Sequence, residues 1–382
     1  IGDGNTLFDS GVMKGKEPAK PVNVALEGIR QLILIVFNAK DGGDHDHANW
    51  VDAKFVYAGE APVAIDAPVY QEEPYFLTPK PGVQPKINAP SVYGCRPGRP
   101  FLYRIPCTGE RPIEFAAESL PESLRLDSST GIITGDVPMN PGEYCVQLQA
   151  KNQHGEDGQT FTIVVGDALA LTPPMGWNHW YTYYTRVNDK LFRDAAEIMI
   201  QSGMADFGYQ YVNIDDCWMM KPGSEDPQLN GESLDRNGAI RANLNFPDMT
   251  AMCDFIHGLG LKAGIYTSPG TRTCAGYQGT YQHEQNDAQR FADWGFDFLK
   301  YDWCSYGHIA KDQSLEEFQK PYRQMGDILK ALNRDVVFNL CQYGMGDVWK
   351  WGGEVGGQCW RASGDLGLDE GDLESIVRQG ER

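Results

Sequence analysis

The stretches KAGIYTSPG (Lys262–Gly270), EQNDAQRFADW (Glu284–Trp294) and FDFLKYDWC (Phe296–Cys304) decide the fold. A short apolar run passes through a Gly-Pro turn region into a segment with helical periodicity, and a second apolar run follows. Runs of this length bounded by turn residues read as strands, and strand, helix, strand in that order is a βα unit whose strands pair in parallel. The chain downstream of Leu171 repeats this pattern. Strands are expected near Met175–Trp177, Gln210–Ile214, Lys262–Tyr266, Phe296–Tyr301, Val336–Leu340 and Gln358–Ala362. Helices are expected at Lys190–Ser202, Met249–Leu259, Glu284–Trp294 and Leu315–Leu332.

These units make residues 168–382 an α/β segment of the (β/α)8, or TIM-barrel, type with about six strands present, where closure takes eight. A six-strand sheet leaves two long edges and half its core open, so a chain of this extent is expected to be poorly soluble or inactive. Ahead of the barrel the pattern is all-β. Residues 1–66 alternate in short apolar runs, Val22–Leu26, Gln31–Phe37 and Ala53–Tyr57, with Leu32–Phe37 reading as a buried strand. Residues 67–85 form a linker in which repeated Pro removes backbone donors. Residues 86–167 read as a β-sandwich. Leu124 and Leu126 alternate before a Ser-Ser-Thr-Gly turn, and Pro141-Gly142 turns into the strand Glu143–Gln149.

The 52 Asp and Glu residues against 33 Lys and Arg give a formal charge of -19. Such a surface repels nucleic acid and anionic lipid. No apolar run approaches the roughly 20 residues that cross a bilayer as a helix. No basic region followed by an apolar one opens the chain, so a secretory leader is absent or lies upstream. Nine Cys without a CxxC pair argue against a zinc ribbon and fit disulfides in an oxidising compartment. The run Asp44, His45, Asp46, His47 has metal-ligating types, but four adjacent ligands on one loop read better as a solvated polar turn.

Functional groups of a barrel gather at the carboxyl ends of its strands. Those ends read MGWNHW (Met175–Trp180), NIDDCW (Asn213–Trp218), GIYTSPG (Gly264–Gly270), LKYDWC (Leu299–Cys304), LCQYG (Leu340–Gly344) and CWRASGD (Cys359–Asp365). Lys300, Asp302 and Cys304 alternate and so project to one side of a strand. A cation beside Asp302 favours its ionised form, as a nucleophile requires, though a plain ion pair would look the same. Asp365 follows Arg361 after a flexible Ser-Gly pair. It offers either a second carboxyl across a bound sugar or a helix N-cap. Asp215 and Asp216 suit the hydroxyl groups of a sugar, or else cap the chain or bind a metal. Trp177 can stack on a pyranose face and Tyr266 can donate to an oxygen, or both can pack. Cys274 and Cys304 follow neighbouring strands, so a disulfide there would clamp the loop beside Asp302; Cys341 with Cys359 is a weaker pair.

Taken together, PPMGWNHW, IDDCW, LKYDWC and WRASGD resemble glycoside hydrolase family 27, the α-galactosidase and α-N-acetylgalactosaminidase family, across nearly all of Leu171–Arg382. The segment GGDHDHANWVDAKF (Gly42–Phe55) resembles the closing strands of an NPCBM-type carbohydrate-binding sandwich, of which only the final third is read here. LPESLRLDSSTGIITGDVPMNPGEYCVQLQAKN resembles bacterial Ig-like modules. The resemblance implies a retaining double displacement that releases terminal α-linked galactose without a cofactor or metal, on an oligosaccharide or polysaccharide substrate. It implies Asp302 as nucleophile and Asp365 as general acid/base. It also implies galactose contacts from Asp215 and Asp216, a pocket lined by Trp177, Tyr266 and Lys300, a ring contact from Arg361, and a Cys274–Cys304 disulfide.

One departure stands out. Where many members read Cys-Glu-Trp, this chain reads Cys341-Gln342-Tyr343. The family's Glu contacts the 2-hydroxyl, and Gln342 offers that position different donors. Two alternatives therefore stay open at the sugar, α-N-acetylgalactosamine and β-L-arabinopyranose. A third reading is a carbohydrate-binding protein whose barrel no longer catalyses. A secreted or periplasmic location is expected.

Overall fold

The computed structural model describes residues 1–13, 17–35, 52–63 and 80–365. Two compact units divide the chain, Ile1–Tyr75 and Phe76–Arg382.

In the first unit the backbone of Gly2 bridges Asn5 and Leu32. The Asp3 carboxylate accepts from the amides of Arg30 at 3.0 Å and Gln31 at 2.8 Å. The strands expected at Val22–Leu26 and Ala53–Tyr57 do not form, and Ile33, Leu34 and Ile35 are 36%, 49% and 38% exposed rather than buried. A strand needs a neighbour to satisfy its N–H and C=O groups, and the described residues of this unit supply isolated bridges only. The Asp44–His47 run and most of Gly42–Phe55 lie outside the described residues, as do residues 67–79 of the linker.

The second unit opens with a sandwich. Its strands are β1 (Lys86–Ile87), β2 (Val92–Cys95), β3 (Pro100–Arg104), β4 (Cys107–Thr108), β5 (Glu114–Glu118), β6 (Leu124–Asp127), β7 (Ile132–Asp136), β8 (Gly142–Asn152) and β9 (Gly155–Val165). One sheet runs β2-β9-β8-β5 and the other β3-β7-β6, with β1-β4 a separate pair. Alternate residues turn inward, so that Val146, Leu148 and Ala150 of β8 meet Phe101 and Tyr103 of β3 in one core.

The barrel segment follows as β10 (Gly176–Asn178), β11 (Tyr211–Asn213), β12 (Lys262–Thr267), β13 (Phe298–Tyr301), β14 (Val337–Leu340) and β15 (Cys359–Trp360). The six strands lie side by side in sequence order, all parallel. Each expected strand is present within a few residues of its expected limits. The helices are α1 (Trp180–Tyr183), α2 (Asp189–Gln201), α3 (Met249–Gly258), α4 (Glu284–Trp294) and α5 (Leu315–Ala331). The last four start where side chains cap them or turn chemistry permits. Asn188 accepts from the Leu191 amide at 2.9 Å, Asp248 from Ala251 at 2.9 Å and Ser314 from Glu317 at 3.3 Å. α4 stops at Gly295, which sits at φ 101° with Cys253 and His257 packed against it.

Register across the sheet sorts the side chains. Trp177, Val212 and Ala263 form one cross-strand row, continued by Ile265, Leu299 and Phe338, and this row is buried in the core shared with the helices apart from Trp177, which is half-buried against it. Asn178, Asn213 and Gly264 form the alternate row, as do Tyr266, Lys300 and Asn339. Gly264 is needed there, because a Cβ would fall 1.8 Å from Asn213 Oδ1.

The sandwich docks on the amino-terminal end of this sheet. Lys262, the first residue of β12, donates to the Tyr93 hydroxyl at 2.5 Å. Asp335, just before β14, accepts from the Arg96 amide at 2.9 Å. Arg111 pairs with Asp206 at 2.7 Å and Arg99 donates to Asn333 at 2.8 Å. The carboxyl ends of the strands are thereby left clear of the sandwich.

Candidate active site

Asp302 lies one residue past β13 and is 4% exposed. Its Oδ1 accepts twice, from the Trp303 amide at 2.8 Å and from the Tyr343 hydroxyl at 2.6 Å. Its Oδ2 has one weak donor, the Cys341 thiol at 3.5 Å. The two oxygens are thus unequal: Oδ1 is held and Oδ2 keeps its lone pairs. Tyr322 of α5 fixes the backbone below by donating to the Asp302 carbonyl at 2.8 Å.

The sequence places Lys300 beside Asp302 in charge as well as in chain. The structure gives its hydrogen bond to another residue: Lys300 Nζ donates to Asp215 Oδ2 at 2.7 Å. The same oxygen accepts from Asn178 at 2.8 Å, and Asp215 Oδ1 accepts from the Asp216 amide at 3.0 Å. Burial alone would lower the Lys300 ammonium pKa. The carboxylate of Asp215, with contributions from Cys341 and Asp302, reverses this and raises it. The Asp215 amide donates to His179 Nδ1 at 3.0 Å, which leaves the proton on Nε2, facing the Tyr184 carbonyl at 3.1 Å. Burial pushes the His179 pKa down, so the ring is held neutral.

Asp216 is turned into the chain. Its oxygens accept from the amides of Cys217 at 2.7 Å and Ala275 at 2.9 Å, tying the loop after β11 to the loop after β12. Burial raises its carboxyl pKa to about 6 against these donors. Trp177 stands in the helix-facing row and packs on Phe192 and Tyr183, with centroids 5.9 Å and 6.2 Å away. The residue that reaches the Asp215 group from β10 is its neighbour Asn178, as the two-residue period of a strand requires. Tyr266 is buried, with Lys300 Nζ 5.0 Å above its ring and its hydroxyl 3.7 Å from Cys304 Sγ.

Cys274 and Cys304 form the expected disulfide. They and Asp302 are also the one metal-ligand-type cluster among the described residues, but the sulfurs are committed to each other. The alternative Cys341–Cys359 bond does not form: Cys341 faces Asp302, and Cys359 Sγ accepts from Asn339 at 3.1 Å. Gln342 is fully buried, donates to the Met345 carbonyl at 3.0 Å and leaves Oε1 without a partner.

Arg361 joins the second carboxyl to this cluster. Its Nη1 contacts Asp365 Oδ1 at 2.6 Å and Cys341 Sγ at 4.0 Å, and its guanidinium lies 5.0 Å from the Tyr343 ring centroid. With Cys341 in turn 3.5 Å from Asp302 Oδ2, these contacts set an upper bound of about 10 Å on the separation of the nearest oxygens of Asp302 and Asp365, against the roughly 5–5.5 Å at which a retaining pair acts across a sugar. Asp365 is 69% exposed at its side chain, open to an incoming ligand. Two recesses of about 370 and 320 Å³ lie elsewhere, at the seam with the sandwich, lined by Tyr93, Lys262 and Asp297 among others. They are at the opposite strand ends and take no part in this cluster.

Sequence reasoning missed Tyr343, Asn178 and His179, and read Cys341 only as a disulfide candidate. Each stands beside a residue it singled out, and the signal available for Tyr343 was its place in the departing Cys341-Gln342-Tyr343 run.

A parallel βα sheet with acidic side chains gathered at its strand carboxyl ends, one of them buried and cation-linked, places this segment in the class of α/β-barrel proteins with an acidic cluster at that face. Residues 172–352 match the family model described as alpha galactosidase A, residues 1–56 the NPCBM/NEW2 domain and residues 84–166 an Ig domain. The chain is 40% identical over 202 residues to alpha-galactosidase A of Cellvibrio japonicus, covering 52% of this chain and 45% of that one. It is 36% identical over 214 residues to the alpha-galactosidase of Coffea arabica, covering 56% and 52%. A solved structure from Bacteroides fragilis, assigned as an alpha-galactosidase, superposes with a TM-score of 0.70 at 39% identity, covering 78% of this chain and 61% of that one. The barrel segment is thus similar to the glycoside hydrolase family 27 α-galactosidase/melibiase family, with Ig-like and NPCBM modules ahead of it. The chain spans about half the length of the curated relatives it matches.

Proposed function

We propose that the protein is a retaining glycosidase that releases terminal α-linked galactose by double displacement. The observation that carries this reading is the asymmetry of the Asp302 carboxylate, one oxygen held by two donors and the other left to attack. In the first half-reaction Oδ2 bonds to the anomeric carbon as the bond to the leaving oxygen breaks, and Asp365 supplies the proton that oxygen takes. In the second, Asp365 takes a proton from water, the water oxygen bonds to that carbon and the electron pair returns to Asp302. Asp215, set by Lys300 and Asn178, is the acceptor for sugar hydroxyls, and Arg361 positions Asp365. The relatives named alpha-galactosidase support galactose as the sugar.

A second reading at carbon 2 rests on Gln342, whose amide is buried with an unpartnered Oε1. Under it the sugar is α-N-acetylgalactosamine. The Cys274–Cys304 disulfide supports an oxidising location, secreted or periplasmic.

The test follows hydrolysis of aryl α-galactoside, α-N-acetylgalactosaminide and β-L-arabinopyranoside by proton NMR. Galactose appearing first as its α anomer, and turnover reduced about 10⁴-fold or more in Asp302→Asn, are expected. The β anomer appearing first, or full activity in Asp302→Asn, overturns the mechanism. A preference for N-acetylgalactosaminide moves the assignment to the second reading.

A further inference from the structure

Tyr343 sits in the left-handed region at φ 65°, a conformation that costs a non-glycine residue free energy and persists where surroundings fix it. The surroundings here are specific. Its hydroxyl donates to Asp302 Oδ1 at 2.6 Å, Arg361 covers its ring at 5.0 Å, and the next residue, Gly344, leaves no room for a Cβ against the Ala362 carbonyl. The hydroxyl also lies 3.6 Å from Cys274 Sγ and 3.8 Å from Cys304 Sγ, so the disulfide closes its far side. A strained backbone thus aims one phenol at one oxygen of one carboxylate.

We propose that Tyr343 is the positioning residue of Asp302: its phenol holds Oδ1 and selects Oδ2 as the attacking atom. The inference rests on the glycosidase reading above and deepens it. A hydrogen bond to the charged form lowers a carboxyl pKa, and two donors on one oxygen leave the other as the better nucleophile. When Oδ2 bonds to the anomeric carbon and the bond to the leaving oxygen breaks, Oδ1 becomes the carbonyl oxygen of the glycosyl ester. Tyr343 keeps its proton throughout. In the second half-reaction negative charge returns to Asp302, and the phenol stabilises it as it forms, so the contact bears most on release of the sugar from the ester. The residue that usually stands here in the resembled pattern is Trp, which carries no phenol.

Tyr343→Phe removes the donor and keeps the ring. The acid limb of the kcat/KM profile is expected to move up by about one pH unit, and kcat to fall about 10-fold or more with KM unchanged or lower. Site-specific 3-fluorotyrosine at position 343 is a stronger donor of nearly the same shape and is expected to move the acid limb the opposite way. The same two proteins are followed by NMR with carboxyl-¹³C aspartate, the Asp302 signal being assigned by its loss in Asp302→Asn. An Asp302 titration that rises in Tyr343→Phe and falls with fluorotyrosine supports the inference. A titration unchanged in both overturns it, whatever the turnover. Absence of glycosidase activity with the titration shifts present overturns the proposed function and leaves the hold of Tyr343 on Asp302 standing.

Discussion

Lys300 gives its ammonium to Asp215 at 2.7 Å, across the sheet, and not to Asp302, two residues further along its own chain. The nucleophile candidate is therefore held by neutral donors, a phenol, an amide and a thiol, while the cation fixes the carboxylate assigned to the sugar. Charge and hydrogen bonding divide the labour between two buried acids that would otherwise compete for one lysine.

Lys300→Met leaves Asp215 buried with only Asn178 and the Asp216 amide as donors. An unpaired buried charge costs several kcal/mol, and with Lys300 partly open to solvent a loss of about 2–4 kcal/mol is expected. The double variant Lys300→Met/Asp215→Asn should recover part of it, since the stranded charge is gone. Urea unfolding measures both. A single variant as stable as the wild type would show that the pair contributes nothing.

Asp216 sets a pH dependence whose sign follows from its environment. Its folded pKa of about 6 is above the ordinary value of 3.8, so the folded chain binds this proton more tightly than the unfolded one. The resulting stabilisation is complete below about pH 4 and is lost as pH rises through about 6, a change of about 3 kcal/mol. Relative to Asp216→Asn, the wild type should lose melting temperature between pH 4 and 7. Parallel melting curves over that range would contradict the assignment.

The Cys274–Cys304 bond closes a loop with a sequence separation of 30 residues beside Asp302. Restricting an unfolded loop of that size is worth about 3–4 kcal/mol. The bond also borders the Tyr343 hydroxyl. Reduction should lower the melting temperature and turnover together, and reoxidation should restore both. Full turnover in the Cys274→Ser/Cys304→Ser protein would confine the bond to a stabilising role.

The barrel strands and helices were legible because parallel, doubly covered strands are continuous apolar runs and their helices carry a 3.6-residue period. β12, buried at all six positions, is the plainest case. The amino-terminal runs were misleading for the converse reason: Ile33, Leu34 and Ile35 are apolar, but without paired neighbours they stay exposed coil. Asp302 and Cys274–Cys304 could be read from strand-end position. Asn178 in place of Trp177 could have been read from alternation, since Lys300, Asp302 and Cys304 were placed by that same rule. The choice of Asp215 over Asp302 by Lys300 is a matter of cross-strand register, which no single segment of sequence carries. Tyr343 needs a positive φ to reach Asp302, and its side chain gives no local sign of that.

The seam between the sandwich and the barrel turns on Asp335, which accepts from the Arg96 amide at 2.9 Å and faces the Arg96 guanidinium at 3.6 Å. Burial raises the Asp335 carboxyl pKa, and the Arg96 donors oppose that rise, so the group is a desolvated acid kept in place by one partner across the seam. Lys262 and Tyr93 make a second polar contact beside it. Because both contacts join the sandwich to the amino-terminal ends of barrel strands, the two bodies should unfold in one calorimetric transition. Asp335→Ala strands the buried Arg96 guanidinium and is expected to cost about 2–4 kcal/mol, and in doing so to separate that transition into two. Adding Arg96→Met should restore part of the stability by removing the stranded charge, without rejoining the transitions, since the backbone amide of residue 96 still lacks its acceptor. Two transitions in the wild type would mean that the sandwich is carried by the barrel without stabilising it.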